Sequence, residues 1–398
     1  MKGKLWILCL WAMFFSLSCK SQATETSKDL PKITMGASQT ALYFPLIKDK
    51  KIGMVVNQTS VVEGQHLVDF LLSQKQQVVK VFAPEHGFRG KADAGEHVKD
   101  AKDTKTGLPV ISLYGKNKKP SAEMLKDIDV VIFDIQDVGV RFYTYISTLH
   151  LVMEACAENN KPLIVLDRPN PNGDYVDGPV LEPKFKSFVG MDPLPIVHGL
   201  TIGELAKMIN GQKWLKNGLQ CNLTVVKMNH YSHKRFYDLP IKPSPNLPNY
   251  QSIRLYPSLC LFEATNISVG RGTTIPFQIY GYPDKSAGAF SFTPKSIPGM
   301  SKHPKFENQT CYGADLRDNI SARTFTLTYL LDTYYHYKDK ENFFLKNNFF
   351  DKLAGTDELR HQIEANLTED EIRLSWQTNL TAYKKMRKQY LLYPDFEL

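Results

Sequence analysis

The sequence predicts an α/β fold, a Rossmann-like, mostly parallel sheet with helices on both faces. Three observations predict it: short runs of Val, Ile, Leu and Phe that are apolar at nearly every position, helical segments alternating with those runs, and abruptly polar residues after them. A strand that is apolar throughout has no face for water, so it belongs to a sheet covered on both sides.

In chain order, Lys51–Asn57 reads as the first strand. Gly64–Gln74 follows, with Leu67, Val68, Phe70, Leu71 and Leu72 at partly helical spacing. Gln77–Phe82 completes a βαβ unit, and Pro84 ends its ladder by removing an amide donor. The pattern returns with strand Asp129–Ile135, a helix from about Thr144 to Asn159 and strand Pro162–Asp167. The loop-rich stretch Pro183–Gly199 leads into helix Thr201–Ile209, where Thr201 and Glu204 have capping-box spacing. Leu223–Met228 reads as a further strand, and the proline-rich Leu239–Pro248 marks a domain boundary. Ser321–Tyr337 and Thr368–Tyr393 read as helices, the second with a capping box of Thr368 and Glu371. Their aromatics Tyr334, Tyr335, Tyr337, Trp376 and Tyr383 read as core more readily than as a sugar-stacking platform.

The 398 residues are 42% hydrophobic and 23% charged, ordinary globular composition and enough for two domains of about 150–200 residues. The formal net charge is +8, but Lys and Arg are scattered, so no nucleic-acid stripe is indicated. Residues 1–18 place Lys2 and Lys4 before the uncharged run Leu5–Leu17, a signal-peptide pattern too short for a membrane span. Cys19 follows small and apolar residues as at a bacterial lipoprotein cleavage site, and residues 19–34 read as a flexible tether. The expectation is an exported, lipidated protein facing the periplasm, touching the membrane only through its N-terminal anchor; the alternative is ordinary cleavage near Ser18 or Ser21. Cys156, Cys221, Cys260 and Cys311 show no metal-ligand spacing, so no metal is expected; a disulfide among them is open, with Cys156 and Cys260 reading as buried hydrophobes.

Loops leaving the carboxyl ends of parallel strands gather on one edge of the sheet. Four such loops here are unusually polar: Asn57-Gln58-Thr59, Glu85-His86-Gly87-Phe88-Arg89, Gln136–Arg141 with Tyr143 and Tyr145, and Asp167-Arg168-Pro169-Asn170-Pro171. Their convergence predicts an active or binding site. Within it, the carboxylate of Glu85, the imidazole of His86 and the guanidinium of Arg89 suit acid/base work on a polar, anionic substrate; the alternative is a rigid turn in which Glu85 pairs with Arg89. Asp167 with Arg168 also reads as a structural ion pair, and Asn170 as a turn former. No G-x-G-x-x-G follows the first strand and no Walker loop occurs, so no nucleotide cofactor is expected. Neither G-x-S-x-G nor S-x-x-K is present for serine hydrolysis. His198, just ahead of the Thr201 helix, reads as a hydrogen-bonded loop residue or as facing the cleft.

Pro84–Gly90, Phe133–Tyr145, Leu166–Pro171, Pro243-Ser244-Pro245-Asn246 and Glu263–Thr274 together resemble the exo-β-N-acetylmuramidases of the NamZ type, and the resemblance runs from about residue 35 to the C-terminus. It implies a glycosidase that releases N-acetylmuramic acid from non-reducing ends of peptidoglycan fragments, a Rossmann-like catalytic domain at 35–238 and a smaller α+β auxiliary domain at 239–398 that completes the cleft. It also implies that Glu85 is the catalytic carboxylate. Glycoside hydrolysis commonly uses two carboxyl groups; for the second, Asp137 and Glu263 lead, ahead of Asp134 and Asp167, with His86 beside the first. Asn57, Tyr143 and Tyr145 are expected to hold sugar hydroxyls or the N-acetyl group, with Asn246 and Arg89 also binding substrate. Arg271, Arg168 or Arg141 is expected to read the lactyl carboxylate of the sugar; Gly270 and Gly272 give Arg271 room to approach an anion. Met228–Arg235 departs from a tryptophan and arginine common in the family, so no subsite role carries over there. The alternative from another class is a lipid-anchored muropeptide-binding module without turnover.

Overall fold

The computed structural model describes residues 31–85, 87–89, 101–115, 117–319 and 324–397. Signal peptide, Cys19, most of the tether and His86 lie outside them. Seven strands form the main sheet: β1 (Ile52–Val56), β2 (Val78–Ala83), β3 (Ala101–Lys102), β4 (Pro109–Ser112), β5 (Val130–Asp134), β6 (Leu163–Leu166) and β7 (Leu223–Val226), in the spatial order β3-β4-β2-β1-β5-β6-β7. Only β3 runs antiparallel, on β4; the other six are mutually parallel.

Successive strand residues feed two different cores, which is why the runs are apolar throughout. Met54, Val56, Val81, Ile132 and Ile164 point to one face and pack with Tyr43 of helix α1 (Thr40–Ile47) and Leu67 and Leu71 of α2 (Leu67–Ser73). Val55, Phe82, Val131, Phe133 and Val165 point to the other, against α3 (Tyr145–Glu158) and α4 (Ile202–Gly211). Both faces are therefore covered, as the composition of the strands requires.

Beyond the sheet, α5 (Tyr250–Leu259) runs into a short 3-10 turn at Cys260–Ala264. A second sheet of three antiparallel strands follows, β8 (Ile279–Tyr282), β9 (Phe290–Phe292) and β10 (Cys311–Asp315), in the order β8-β10-β9. Helices α6 (Thr328–His336) and α7 (Glu369–Arg387) are the most C-terminal of the long elements named here. Ile33–Leu398 form one compact unit. Both expected capping boxes are present, at Thr201 with Glu204 and at Thr368 with Glu371. Tyr334, Trp376 and Tyr383 are core, whereas Tyr335 is 71% exposed.

Two helices end or begin away from their expected bounds. α6 starts at Thr328 rather than Ser321, a residue outside the described ones. α7 stops at Arg387 because the tail turns back onto the sheet: the Leu392 amide donates to Glu204 and the Tyr393 hydroxyl to Asp167. All four described cysteines are free and buried.

Candidate active site

Five parallel strands, β2, β4, β1, β5 and β6, send loops over the same edge of the main sheet. Glu85 follows β2; Tyr114 and Lys118 follow β4; Tyr143, Thr144 and Tyr145 follow β5. These six side chains line one cavity of about 320 Å³, joined from the C-terminal half by Ser244, Asn246, Tyr256, Glu263, Arg271 and Phe277. Among the described residues, Glu85 and Glu263 are the carboxylates lining it.

Glu85 sits where β2 has just ended. The Thr144 hydroxyl donates to its Oε2 at 3.3 Å, and the Tyr114 hydroxyl also hydrogen-bonds its carboxylate. Tyr145 donates to the Glu85 carbonyl oxygen at 3.4 Å. Burial, then the nearby Glu85 charge, pushes the Tyr114 phenol up to about 12, so it remains a donor at neutral pH. The alternative pairing of Glu85 with Arg89 is not formed. Arg89 pairs instead with Asp103 at 2.8 Å and Asp69 at 3.3 Å, and its guanidinium lies 4.5 Å from the Phe88 ring centroid. It pins the loop and does not line the cavity.

Glu263 comes from the 3-10 turn after α5. Arg271 grips it with two hydrogen bonds, Nε to Oε1 and Nη2 to Oε2, the latter at 3.0 Å. Gly270 and Gly272 make this possible with φ of 76° and 82°; a Cβ on Gly270 would fall 2.5 Å from Cγ1 of Ile279. The turn is tied from below by Lys305, whose Nζ donates to the carbonyls of Phe262, Thr265 and Ile267; burial lowers this amine to about 8.

Aromatic rings make the wall rigid. Tyr143 and Tyr145 meet edge to face at 4.9 Å, Phe142 and Tyr256 at 5.4 Å, and Tyr256 and Phe277 at 5.0 Å. The Tyr143 hydroxyl is spent on the Pro243 carbonyl at 2.7 Å, which anchors the proline-rich segment to the sheet edge. Asn246 is at the cavity edge with Nδ2 bonded to the Met300 carbonyl and a buried Oδ1 that has no partner among the described residues.

Several expected site residues are placed elsewhere. Arg141 is fully buried and donates to four carbonyls, of Pro179, Leu194, Leu353 and Ala354. It cannot reach a ligand in the cavity and acts as a structural cross-link. Arg168 forms a bidentate pair with buried Asp134, at 2.5 and 2.8 Å, and borders a separate cavity of about 180 Å³. Asp167 is fully buried, accepting from Thr201, Tyr393, Gly203 and the Arg168 amide. Asp137 is 5% exposed; its Oδ2 accepts from the Gly139 amide and lies 3.6 Å from Nε2 of buried His198, outside the cavity lining. Asn57 is fully buried and its Oδ1 accepts from the Thr59 amide and hydroxyl, shaping its own loop. Met228, Tyr231 and His233 are buried, and the segment from His233 to Phe236 borders a different cavity, beside Asp174 and Arg254. Tyr114 and Lys118 escaped the sequence reading because β4 did; its signal, Val110-Ile111 before a polar loop, is the pattern of the other strands at half the length. Among the described residues no three His, Cys, Asp or Glu side chains gather as a metal site would need.

Family models match both halves of the chain. The family described as exo-beta-N-acetylmuramidase NamZ, N-terminal, matches residues 52–251, and its C-terminal counterpart matches 254–393. The chain is 40% identical over 411 residues to the peptidoglycan beta-N-acetylmuramidase NamZ of Bacillus subtilis (strain 168), covering 96% of this chain and 97% of that one. Two crystal structures of DUF1343 family proteins from Bacteroides fragilis NCTC 9343 are similar throughout. One is 47% identical with a TM-score of 0.85, covering 92% of this chain and 100% of its own. The other is 32% identical with a TM-score of 0.80, covering 91% and 100%. With both domains matched in order and at nearly full length, the chain belongs to the exo-beta-N-acetylmuramidase NamZ family.

Proposed function

We infer that the chain is an exo-acting glycosidase that releases N-acetylmuramic acid from the non-reducing end of peptidoglycan fragments in cell-wall turnover or recycling. The observation that carries this reading is the meeting of Glu85 and Glu263, from opposite halves of the chain, at one aromatic-walled cavity. At about 320 Å³ the cavity is near the small end of the usual range for ligand sites, roughly 300–1,000 Å³, a size suited to one terminal sugar rather than a strand of glycan.

Arg271 engages both oxygens of Glu263, so proton transfer to the leaving oxygen falls to Glu85. Glu263 takes the part of the second carboxylate, fixed in place by its arginine. Tyr114 and Thr144 orient the Glu85 carboxylate. Replacing Glu85 with Gln should lower kcat on a disaccharide of N-acetylmuramic acid β-linked to N-acetylglucosamine, whose sugar leaving group needs a proton, by about 100-fold or more while leaving KM nearly unchanged. Full activity of that variant would remove Glu85 from the chemistry. Muropeptide binding without turnover by the wild type would return the binding-module reading.

The reading extends to location: export by the signal peptide at 1–18 and anchoring through lipidated Cys19, facing the periplasm. The uncharged run Leu5–Leu17 behind Lys2 and Lys4 supports it. Wild type should fractionate with membranes and a Cys19→Ser variant should not; equal distribution of the two would count against the anchor.

A further inference from the structure

We infer that Lys118 is the residue that reads the lactyl carboxylate of N-acetylmuramic acid, a deeper claim about the same site that rests on the hydrolase reading above. The sugar differs from N-acetylglucosamine by this one acidic substituent, so a selective cavity needs a cation not already neutralised. Among the described residues two cations line it, Arg271 and Lys118. Arg271 is committed to Glu263 through two hydrogen bonds, and its guanidinium lies 5.1 Å from the Phe277 ring centroid. A carboxylate approaching it would meet the Glu263 charge as well.

Lys118 is different. It is half-buried, with its Nζ 4.3 Å from the Phe188 ring centroid, and no carboxylate among the described residues lies within ion-pair distance of it. Its neighbour Lys119 points to the other side of the loop, bonded to Glu154 at 2.7 Å and Glu158 at 2.6 Å. Of two adjacent lysines, one is a structural tie and the other presents to the cavity a charge that no carboxylate among the described residues pairs with. The remaining arginine candidates are tied elsewhere: Arg141 to carbonyls, Arg168 to Asp134, Arg89 to Asp69 and Asp103. An ammonium on a four-carbon stem has three rotatable donors and can follow a flexible lactyl group, while the Phe188 face favours a cation in that position.

The test compares wild type, Lys118→Met and Lys118→Arg as full chains, using para-nitrophenyl β-N-acetylmuramide and two competitive inhibitors, free N-acetylmuramic acid and its lactyl methyl amide. Lys118→Met should raise KM about 10-fold to 100-fold with kcat changed little, the loss of one charge-assisted hydrogen bond. Wild type should bind the acid more tightly than the neutral amide, Lys118→Met should bind the two alike, and Lys118→Arg should restore most of the preference. A Lys118→Met enzyme that keeps its preference for the acid, or that weakens equally toward acid and amide, overturns the proposal. Absence of wild-type turnover would overturn the hydrolase reading first, and is seen before any variant is made.

Discussion

Asp167 and Glu263 are both carboxylates in polar motifs, yet their surroundings separate them. Asp167 is fully buried and receives four hydrogen bonds, each of which favours its ionised form, but burial outweighs them and, with Glu204 nearby, raises its pKa to about 6. Since the unfolded value is about 3.9, the folded state binds the extra proton between about pH 4 and pH 6. The associated stability is fully present below about pH 4 and is lost as pH rises through about 6, at most roughly 3 kcal/mol. Denaturant unfolding of wild type and Asp167→Asn should therefore show a free-energy difference that moves against the wild type across that window. A difference independent of pH would refute the assignment. Glu263 lacks this seclusion and has a cation on both oxygens, so it belongs to the cavity while Asp167 belongs to the scaffold.

Elements were legible where a single periodicity ran long enough. β1, β5 and β6 follow from apolar runs, β2 and β7 from runs broken only by Lys80 and Thr224, and α4 and α7 from their capping boxes. β4 offered only Val110 and Ile111 between Pro109 and Ser112, too short a run to stand out, and the strands of the small sheet are only 4, 3 and 5 residues long. The two capping boxes look alike in sequence but differ in surroundings. Thr368 is at the surface, whereas the buried Thr201 hydroxyl also donates to Asp167 at 2.7 Å. Thr368→Ala should cost about 1 kcal/mol, the usual worth of a cap, and Thr201→Ala about 2 kcal/mol or more because a buried acceptor loses its donor. Urea unfolding that placed the two losses equal, or in the reverse order, would show that the link to Asp167 carries no stability.

At the scale of the whole molecule, the C-terminal part is locked onto the sheet by buried polar contacts. Arg141 reaches the Leu353 and Ala354 carbonyls, Arg387 the Gly199 carbonyl, and Tyr393 the Asp167 carboxylate. These links make the cavity a property of the assembled chain, since Glu85 and Glu263 lie far apart in sequence and each half supplies only one of the carboxylates. The same links explain why conspicuous motif residues, Arg141, Asp167 and Arg168, are away from the cavity: a polar group at a strand end can serve a ligand or join two loops, and its spacing is the same in either case.

By itself, the sequence determined the parallel sheet, the edge on which its polar loops gather, the capped helices and the candidacy of Glu85, because these depend on local pattern and on the direction every parallel strand shares. Only the tertiary structure decided which polar groups face the cavity. Burial, and the partner each charge finds across the chain, set Arg141 among carbonyls, Arg271 on Glu263 and Lys118 beside Phe188, and no local spacing encodes such a choice.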